Sequence, residues 1–172
     1  MASLALPKGK LNIGLNTGAG LKFANKAWNL SSFIELIRRI KRELDVNVLL
    51  LGGQLEKERN REIFLNCKDL VFNTGIDHTV RQFALIVNVC DIIVSADTLA
   101  MHIAIALKKK VLALFGPTCA QEIDLYDRGI KIISHLDCRP CYKKRCNKSP
   151  NCMDSITPEE VYGSLRRLLN MC

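Results

Sequence analysis

No apolar run in the sequence reaches the roughly 18 residues that a membrane-spanning helix needs. The amino end, Met1 to Lys10, lacks the apolar h-region of a secretory signal. These two absences make a cytoplasmic chain the default expectation. Aromatic residues are few, 6% of the total, and nowhere interleave with the basic ones. That disfavours a base-stacking platform, and no nucleic-acid partner is expected. Acidic residues number 17 against 25 lysines and arginines, a formal charge of +8. Such a balance favours acidic partners, above all a phosphorylated ligand or an anionic membrane face. No internal repeat or low-complexity linker divides the 172 residues, of which 48% are hydrophobic. Disorder is therefore not expected, and the reading is a short tail over residues 1–10 followed by one domain over residues 11–172.

What is present centres on the stretch from Cys90 to Thr118. Asp91 to Ser95 is a short apolar, β-branched run and reads as a buried strand. Asp97 and Thr98 are good N-cap types, and Leu99 to Leu107 reads as an apolar helix. Lys108, Lys109 and Lys110 suit the negative end of that helix. Val111 to Phe115 is a second buried strand, ended by Gly116-Pro117-Thr118. Strand, turn, helix and strand make one βαβ unit. Open parallel sheets bind ligands at the carboxyl ends of such strands, where a helix amino terminus offers free N–H groups to an anion.

The flanking sequence continues the alternation. Lys10 to Asn16 predicts a strand running into Thr17-Gly18-Ala19-Gly20, and Ser31 or Ser32 predicts a helix start, Ser32 and Glu35 having capping-box spacing. Val46 to Leu51 predicts a strand, Glu56 to Asn66 a polar helix, Leu70 to Phe72 a short strand and Thr79 to Val89 a helix. Ile130 to Ile133 predicts the last strand. Thr157-Pro158-Glu159-Glu160 opens a final helix to about Leu169, with Thr157 as cap and Glu160 completing a capping box. Strands alternating with helices over short connections give an α/β fold, a doubly wound parallel sheet of Rossmann-like type with about six strands.

In that fold the loops after the strands gather on one edge, which would bring together Thr17, Lys26, Glu56, His78, Asp97, Thr98, His102 and Thr118. Each also has an ordinary structural reading. Asp97 or Thr98 can simply cap a helix, His102 can be a hydrogen-bonded core residue, and Glu56 and Lys26 can be solvated charges. As functional groups, a carboxylate after the second strand suits ribose hydroxyls. Lys26 beside a glycine-rich turn suits a diphosphate, as does a histidine one turn into a helix.

Ser95-Ala96-Asp97-Thr98, His102 and Leu114-Phe115-Gly116-Pro117-Thr118 resemble the donor-site signature of glycosyltransferase family 9, the lipopolysaccharide heptosyltransferases. Lys26-Ala27-Trp28 resembles that family's Lys-x-Trp element, and Gly52 to Arg59 its segment with a nucleoside-binding glutamate. Cys138-Arg139-Pro140-Cys141-Tyr142, Cys146, and Cys152-Met153 with Ile156 to Val161 are similar to many members' carboxyl end. The resemblance covers roughly Leu11 to Leu169. It implies the carboxyl-terminal, donor-binding half of a GT-B enzyme that transfers heptose from ADP-heptose, or a related nucleotide sugar, to a lipid A-linked acceptor of the lipopolysaccharide inner core. No metal or other cofactor is required, and the anionic inner-membrane face becomes a candidate partner. It further implies that Lys26 touches the diphosphate leaving group and that Glu56 and the His78 segment touch the nucleoside. Asp97 would hold sugar hydroxyls, and Thr98, the following amides and His102 the diphosphate. Thr17, Leu99, Gly116 and Thr118 complete the expected binding set.

Two departures from the family pattern stand out. Leu99 occupies the position after Asp-Thr where members usually have glycine, and the amino-terminal half that would carry the acceptor site and the aspartate general base is not in this sequence. The expectation is a donor-binding half, inactive alone, from a truncation, a split gene or a partial gene. Eight cysteines form a further feature. Cys67, Cys90, Cys119 and Cys172 are scattered, whereas Cys138, Cys141, Cys146 and Cys152 cluster in a basic segment. Four thiolates in a compact loop could hold zinc or an iron–sulfur cluster, or remain reduced thiols or a disulfide. Three function classes stay open on the sequence: a glycosyltransferase donor domain (for ADP-heptose or a different donor), a non-catalytic nucleotide-binding module, and a metal-cluster or interaction domain.

Overall fold

A computed structural model describes residues 6–20 and 23–171; residues 1–5 of the expected tail and Cys172 lie outside them. Its strands are β1 (Asn12–Asn16), β2 (Asn47–Leu51), β3 (Phe72–Asn73), β4 (Ile92–Ala96), β5 (Lys110–Phe115) and β6 (Gly129–Ile133). Its α-helices are α1 (Leu30–Glu43), α2 (Lys57–Asn66), α3 (Val80–Val89), α4 (Leu99–Ala106) and α5 (Pro158–Leu169). The strands form one sheet in the order β3-β2-β1-β4-β5-β6, and every neighbouring pair is parallel. This is the doubly wound order whose direction of winding reverses between β1 and β4.

Strand periodicity sorts the core into two layers. Ile13, Leu15, Val48, Leu50, Ile92, Val94, Leu112 and Leu114 meet Phe33, Leu36, Ile37 and Ile40 of α1, Ile63 of α2 and Leu165 and Leu168 of α5. The alternate residues Leu49, Leu51, Ile93, Val111, Ala113 and Phe115 meet Ile86 and Val87 of α3 and Met101 and Ala104 of α4. Both faces of the central strands are buried, which is why these runs read as continuously apolar rather than alternating.

Several boundaries differ from the sequence reading, each for a local reason. Helix α1 starts at Leu30 rather than Ser31 or Ser32, because the Phe33 N–H already donates to the Asn29 carbonyl at 3.2 Å. No Ser32–Glu35 capping box opens it. Thr157 caps α5 through the Glu160 N–H at 3.2 Å, but the Glu160 carboxylate does not return to the cap; it faces His135 Nε2 at 3.4 Å. The lysine triplet serves other helices than its own. Lys109 donates to Asn88 in the last turn of α3 at 2.6 Å, and Lys110, already in β5, donates to Leu168 in the last turn of α5 at 3.1 Å. The cations sit at helix carboxyl ends, as their charge favours, but at those of α3 and α5. No helix among the described residues is long and apolar enough to cross a membrane.

Candidate functional site

Helices α1 and α4 pack on opposite faces of the sheet, so the loops leaving β1 and β4 diverge and open a crevice between them. A cleft of about 460 Å³ lies there. The loop after β1 supplies Asn16, Gly18, Ala19, Gly20, Phe23 and Lys26 to its walls. The loop after β2 supplies Gly52, Gly53, Leu55 and Glu56; His78, Val80 and Phe83 come from the approach to α3 and its first turn, and Asp97 to Ala100 from the start of α4.

The β1 and β4 loops are held together by Asn16. Its buried amide donates to the Gly18 carbonyl at 3.2 Å, Ser95 Oγ at 3.3 Å and Thr98 Oγ1 at 3.2 Å. Thr98 and Ser95 share a further hydroxyl contact of 2.9 Å. Engaged in this way, the Thr98 side chain makes no capping bond to α4. The first amides of α4 therefore have no side-chain cap from Thr98, and Thr98, Leu99 and Ala100 all face the cleft. Lys26 reaches across from the opposite loop. Its ammonium donates to the Asp97 carbonyl oxygen and lies 3.3 Å from Asp97 Oδ2. Trp28, two residues on, fixes that loop to the core: its indole N–H donates to the Ile156 carbonyl at 2.8 Å and its ring meets Phe33 edge-on at 4.9 Å.

Glu56 occupies the other wall, in a 3₁₀ turn (Gln54–Glu56), where its Oε2 accepts the Gly53 N–H at 2.9 Å. Gly18 leaves room for it, since a Cβ there would stand 2.0 Å from Glu56 Oε1 and push that side chain aside. His78 is oriented by a 2.9 Å contact from Nε2 to the Thr74 carbonyl. Leu99, 56% exposed, projects over the cleft at the first position of α4. The site thus sets one ammonium beside the Asp97 carboxylate and a helix amino terminus, with Glu56 on another wall and Leu55, Val80, Phe83 and Leu99 as apolar lining.

The model of glycosyltransferase family 9 (heptosyltransferase) matches residues 2–151. The chain belongs to glycosyltransferase family 9. It is 31% identical over 173 residues to lipooligosaccharide heptosyltransferase 2 of Campylobacter jejuni subsp. jejuni serotype O:2, covering 96% of this chain and 53% of that protein. To lipopolysaccharide heptosyltransferase 2 of Escherichia coli K12 it is 31% identical over 101 residues, 54% of this chain and 28% of that protein. Among solved structures, that of E. coli ADP-heptose LPS heptosyltransferase II superposes with a TM-score of 0.78 at 25% identity, over 96% of this chain and 48% of that one. The chain spans about half the length of the C. jejuni protein and of the solved E. coli heptosyltransferase II.

Within this family-9 chain, Lys26, Glu56, His78, Asp97, Thr98 and Leu99 meet in the cleft. His102 stands at its margin, half exposed, with Nε2 3.5 Å from Asp97 Oδ1. Three expected binding residues lie elsewhere. Thr17 is buried and bonds Asn60, which in turn donates to the Leu51 carbonyl at 3.2 Å; its hydroxyl ties the β1 loop to α2 and does not line the cleft. Gly116 is packed beneath the cysteine segment, where a Cβ would meet Met153 Sδ at 2.5 Å and Cys152 Sγ at 2.7 Å. The Thr118 hydroxyl is buried without a hydrogen-bond partner, outside the cleft walls. Asn16, Leu55, Val80 and Phe83 are cleft residues that the sequence reading did not single out. Asn16 alone carried a signal, a buried-type position ending a strand with a polar side chain.

The clustered cysteines come together near Cys152, whose ionisation the other three thiols influence. Cys138 is exposed, Cys141 and Cys146 are half-buried and Cys152 is buried, all as free thiols. No three His, Cys, Asp or Glu side chains among the described residues are gathered closely enough to hold an ion. Burial, then the neighbouring thiols of Cys141, Cys146 and Cys138, push the Cys152 thiol up to about 11.

Proposed function

We propose that the chain is the donor-binding half of a heptosyltransferase and holds ADP-heptose, or a closely related nucleotide sugar, in the cleft between β1 and β4. The observation that carries this reading is the placement of Lys26 beside the open amino terminus of α4. A cation and uncapped amides converging on one point suit a diphosphate. Glu56, fixed by the Gly53 N–H, would accept ribose hydroxyls, and the apolar wall of Leu55, Val80 and Phe83 would receive the base. Asp97 would accept from the sugar. The acceptor, a lipid A-linked inner core, and the general base belong in this proposal to the remainder of the family's two-domain architecture. Bound alone, the donor would be positioned by Lys26 and α4 for departure of its diphosphate, with no group in the cleft assigned to activate an acceptor hydroxyl.

Leu99 supports a second reading. A leucine over the helix terminus would crowd the phosphates, which favours a nucleotide-binding module without transfer activity or with another donor. Calorimetry with ADP, ADP-heptose, UDP and GDP, beside a sugar-transfer assay with and without a family-9 amino-terminal domain, separates the readings. The proposal expects adenine-selective binding, no transfer by this chain alone and transfer when the second domain is supplied. Absence of heat with ADP and ADP-heptose would overturn it; binding without rescue of transfer would favour the second reading.

A further inference from the structure

Threonine is the N-cap of α3, α4 and α5, and its hydroxyl does the same work in two of them. Thr79 Oγ1 accepts the Gln82 N–H of α3 at 3.3 Å, and Thr157 Oγ1 accepts the Glu160 N–H of α5 at 3.2 Å. Thr98 stands in the same place on α4: its backbone is extended, and its carbonyl accepts the His102 N–H at 3.2 Å. Its hydroxyl nevertheless caps nothing. Counting hydrogens explains the difference. Ser95 Oγ donates to the Ala96 carbonyl at 2.8 Å, which uses the one proton that a hydroxyl has. In the 2.9 Å contact between the two hydroxyls, Thr98 is then the donor and Ser95 the acceptor. From the other side the Asn16 amide donates to Thr98 Oγ1 at 3.2 Å and to Ser95 Oγ at 3.3 Å. Both anchors, Asn16 and Ser95, are buried. The helix whose threonine is held back in this way is the one that opens on the cleft.

We propose that Asn16 is a positioning residue of the donor site: by holding the Thr98 hydroxyl against Ser95, it keeps the amino terminus of α4 open to a diphosphate. A threonine cap accepts from the second or third N–H of its helix, here those of Ala100 and Met101. These are among the groups that an anion at a helix amino terminus uses. Released from Asn16, the Thr98 side chain can turn to another staggered rotamer and bond one of them. A diphosphate would then have to displace the cap before it could bind. Asn16 thus acts through Thr98, and the strand end of β1 controls what the first turn of α4 can hold. The inference rests on the reading of the cleft as a site for a nucleoside diphosphate.

The test is calorimetry of the full chain with ADP and with adenosine, whose affinity ratio reports on the diphosphate alone. In Asn16→Ala the ratio should fall about fivefold, the fold-change equal to one typical N-cap bond. A Thr98→Val background has no hydroxyl to redirect. Adding Asn16→Ala there should leave the ratio where Thr98→Val alone puts it. Ser95→Ala removes the acceptor of the Thr98 proton at little change of volume and should lower the ratio too; it carries the test if thermal melts show Asn16→Ala to be unfolded. An unchanged ratio in the folded variant would overturn the inference. So would an equal fall in both backgrounds, which would place the effect in the β1 loop instead of in Thr98. Wild-type protein that binds ADP no more tightly than adenosine would overturn the diphosphate reading itself, and this inference with it.

Discussion

The ammonium of Lys26 lies 3.3 Å from one oxygen of Asp97, while Nε2 of His102 lies 3.5 Å from the other. The three groups bridge the β1 loop and α4 at the point where the proposed diphosphate would enter. Lys26 and Asp97 side chains are 14% and 18% exposed, so their attraction is less screened than that of a surface pair. An incoming phosphate must compete with Asp97 for the ammonium. This gives the two residues opposite expected effects on nucleotide binding.

Lys26→Ala should weaken ADP binding about ten- to a hundredfold, the range of one lost charge-assisted hydrogen bond of about 1.5–3 kcal/mol. The loss should grow at low salt. Calorimetric titration of wild type and variant at two ionic strengths measures it, and an unchanged affinity would remove Lys26 from the phosphate site.

Asp97→Ala should leave ADP affinity equal or raise it, because Lys26 is released and a negative charge leaves the cleft. Binding of ADP-heptose relative to ADP should fall, since Asp97 is assigned to the sugar. Two titrations on one variant decide the matter. A structural role alone would lower the melting temperature and keep the affinity ratio where it was.

Leu99→Gly should raise ADP affinity by about tenfold, the worth of one freed backbone bond to a phosphate at the low end of charged hydrogen bonds. Stability should change little, because the side chain is exposed and sits at the first turn of α4. Titration with ADP reads the gain. No gain would mean that the leucine already lies clear of the ligand.

The β4–α4–β5 unit was legible from sequence because its signals are local: an apolar β-branched run, polar residues at the turn, then a second apolar run. The placement of Lys26, Glu56, His78 and Asp97 on one edge follows from alternation alone, given right-handed crossovers. Long-range partners were not legible. Thr17 reads as a loop hydroxyl, but Asn60, 43 residues on, captures it. Lys109 and Lys110 read as caps for α4, but the carbonyls that they meet end α3 and α5. Asn16 could be read as a strand end, and only the fold shows that it binds two residues about eighty positions away.

Gly14, in the middle of β1, is expected to tolerate no side chain. A Cβ there would stand 2.6 Å from Ile93 Cδ1, 2.8 Å from Cys90 Sγ and 2.9 Å from Leu51 Cδ1. Gly14→Ala should therefore destabilise the fold by about 1–3 kcal/mol through overpacking. Gly163 of α5 has open space around its Cβ position, so Gly163→Ala should stabilise by about 0.5–1 kcal/mol. Urea unfolding of both variants tests the contrast; equal effects would mean that the β1 layer can relax.

Cys90 makes stability depend on alkaline pH. Its thiol is fully buried at the end of α3, and burial first, then the Asp91 charge, push it from an ordinary 9.0 up to about 12. The folded chain keeps this proton at pH 10, whereas an unfolded chain releases it near 9. The contribution is therefore whole below about pH 9 and is lost as pH rises from 9 towards 12. With unfolding alone deprotonating the thiol, the loss between about pH 8 and pH 10 is about 1.4 kcal/mol. Other groups titrate in this range, so the informative quantity is the difference between wild type and Cys90→Ala. The variant is expected to start less stable, having lost a buried atom, yet to fall less steeply with pH. Urea midpoints at the two pH values give both numbers. Parallel slopes would show that the Cys90 thiol ionises as readily folded as unfolded, and would count against its burial between α3 and the sheet.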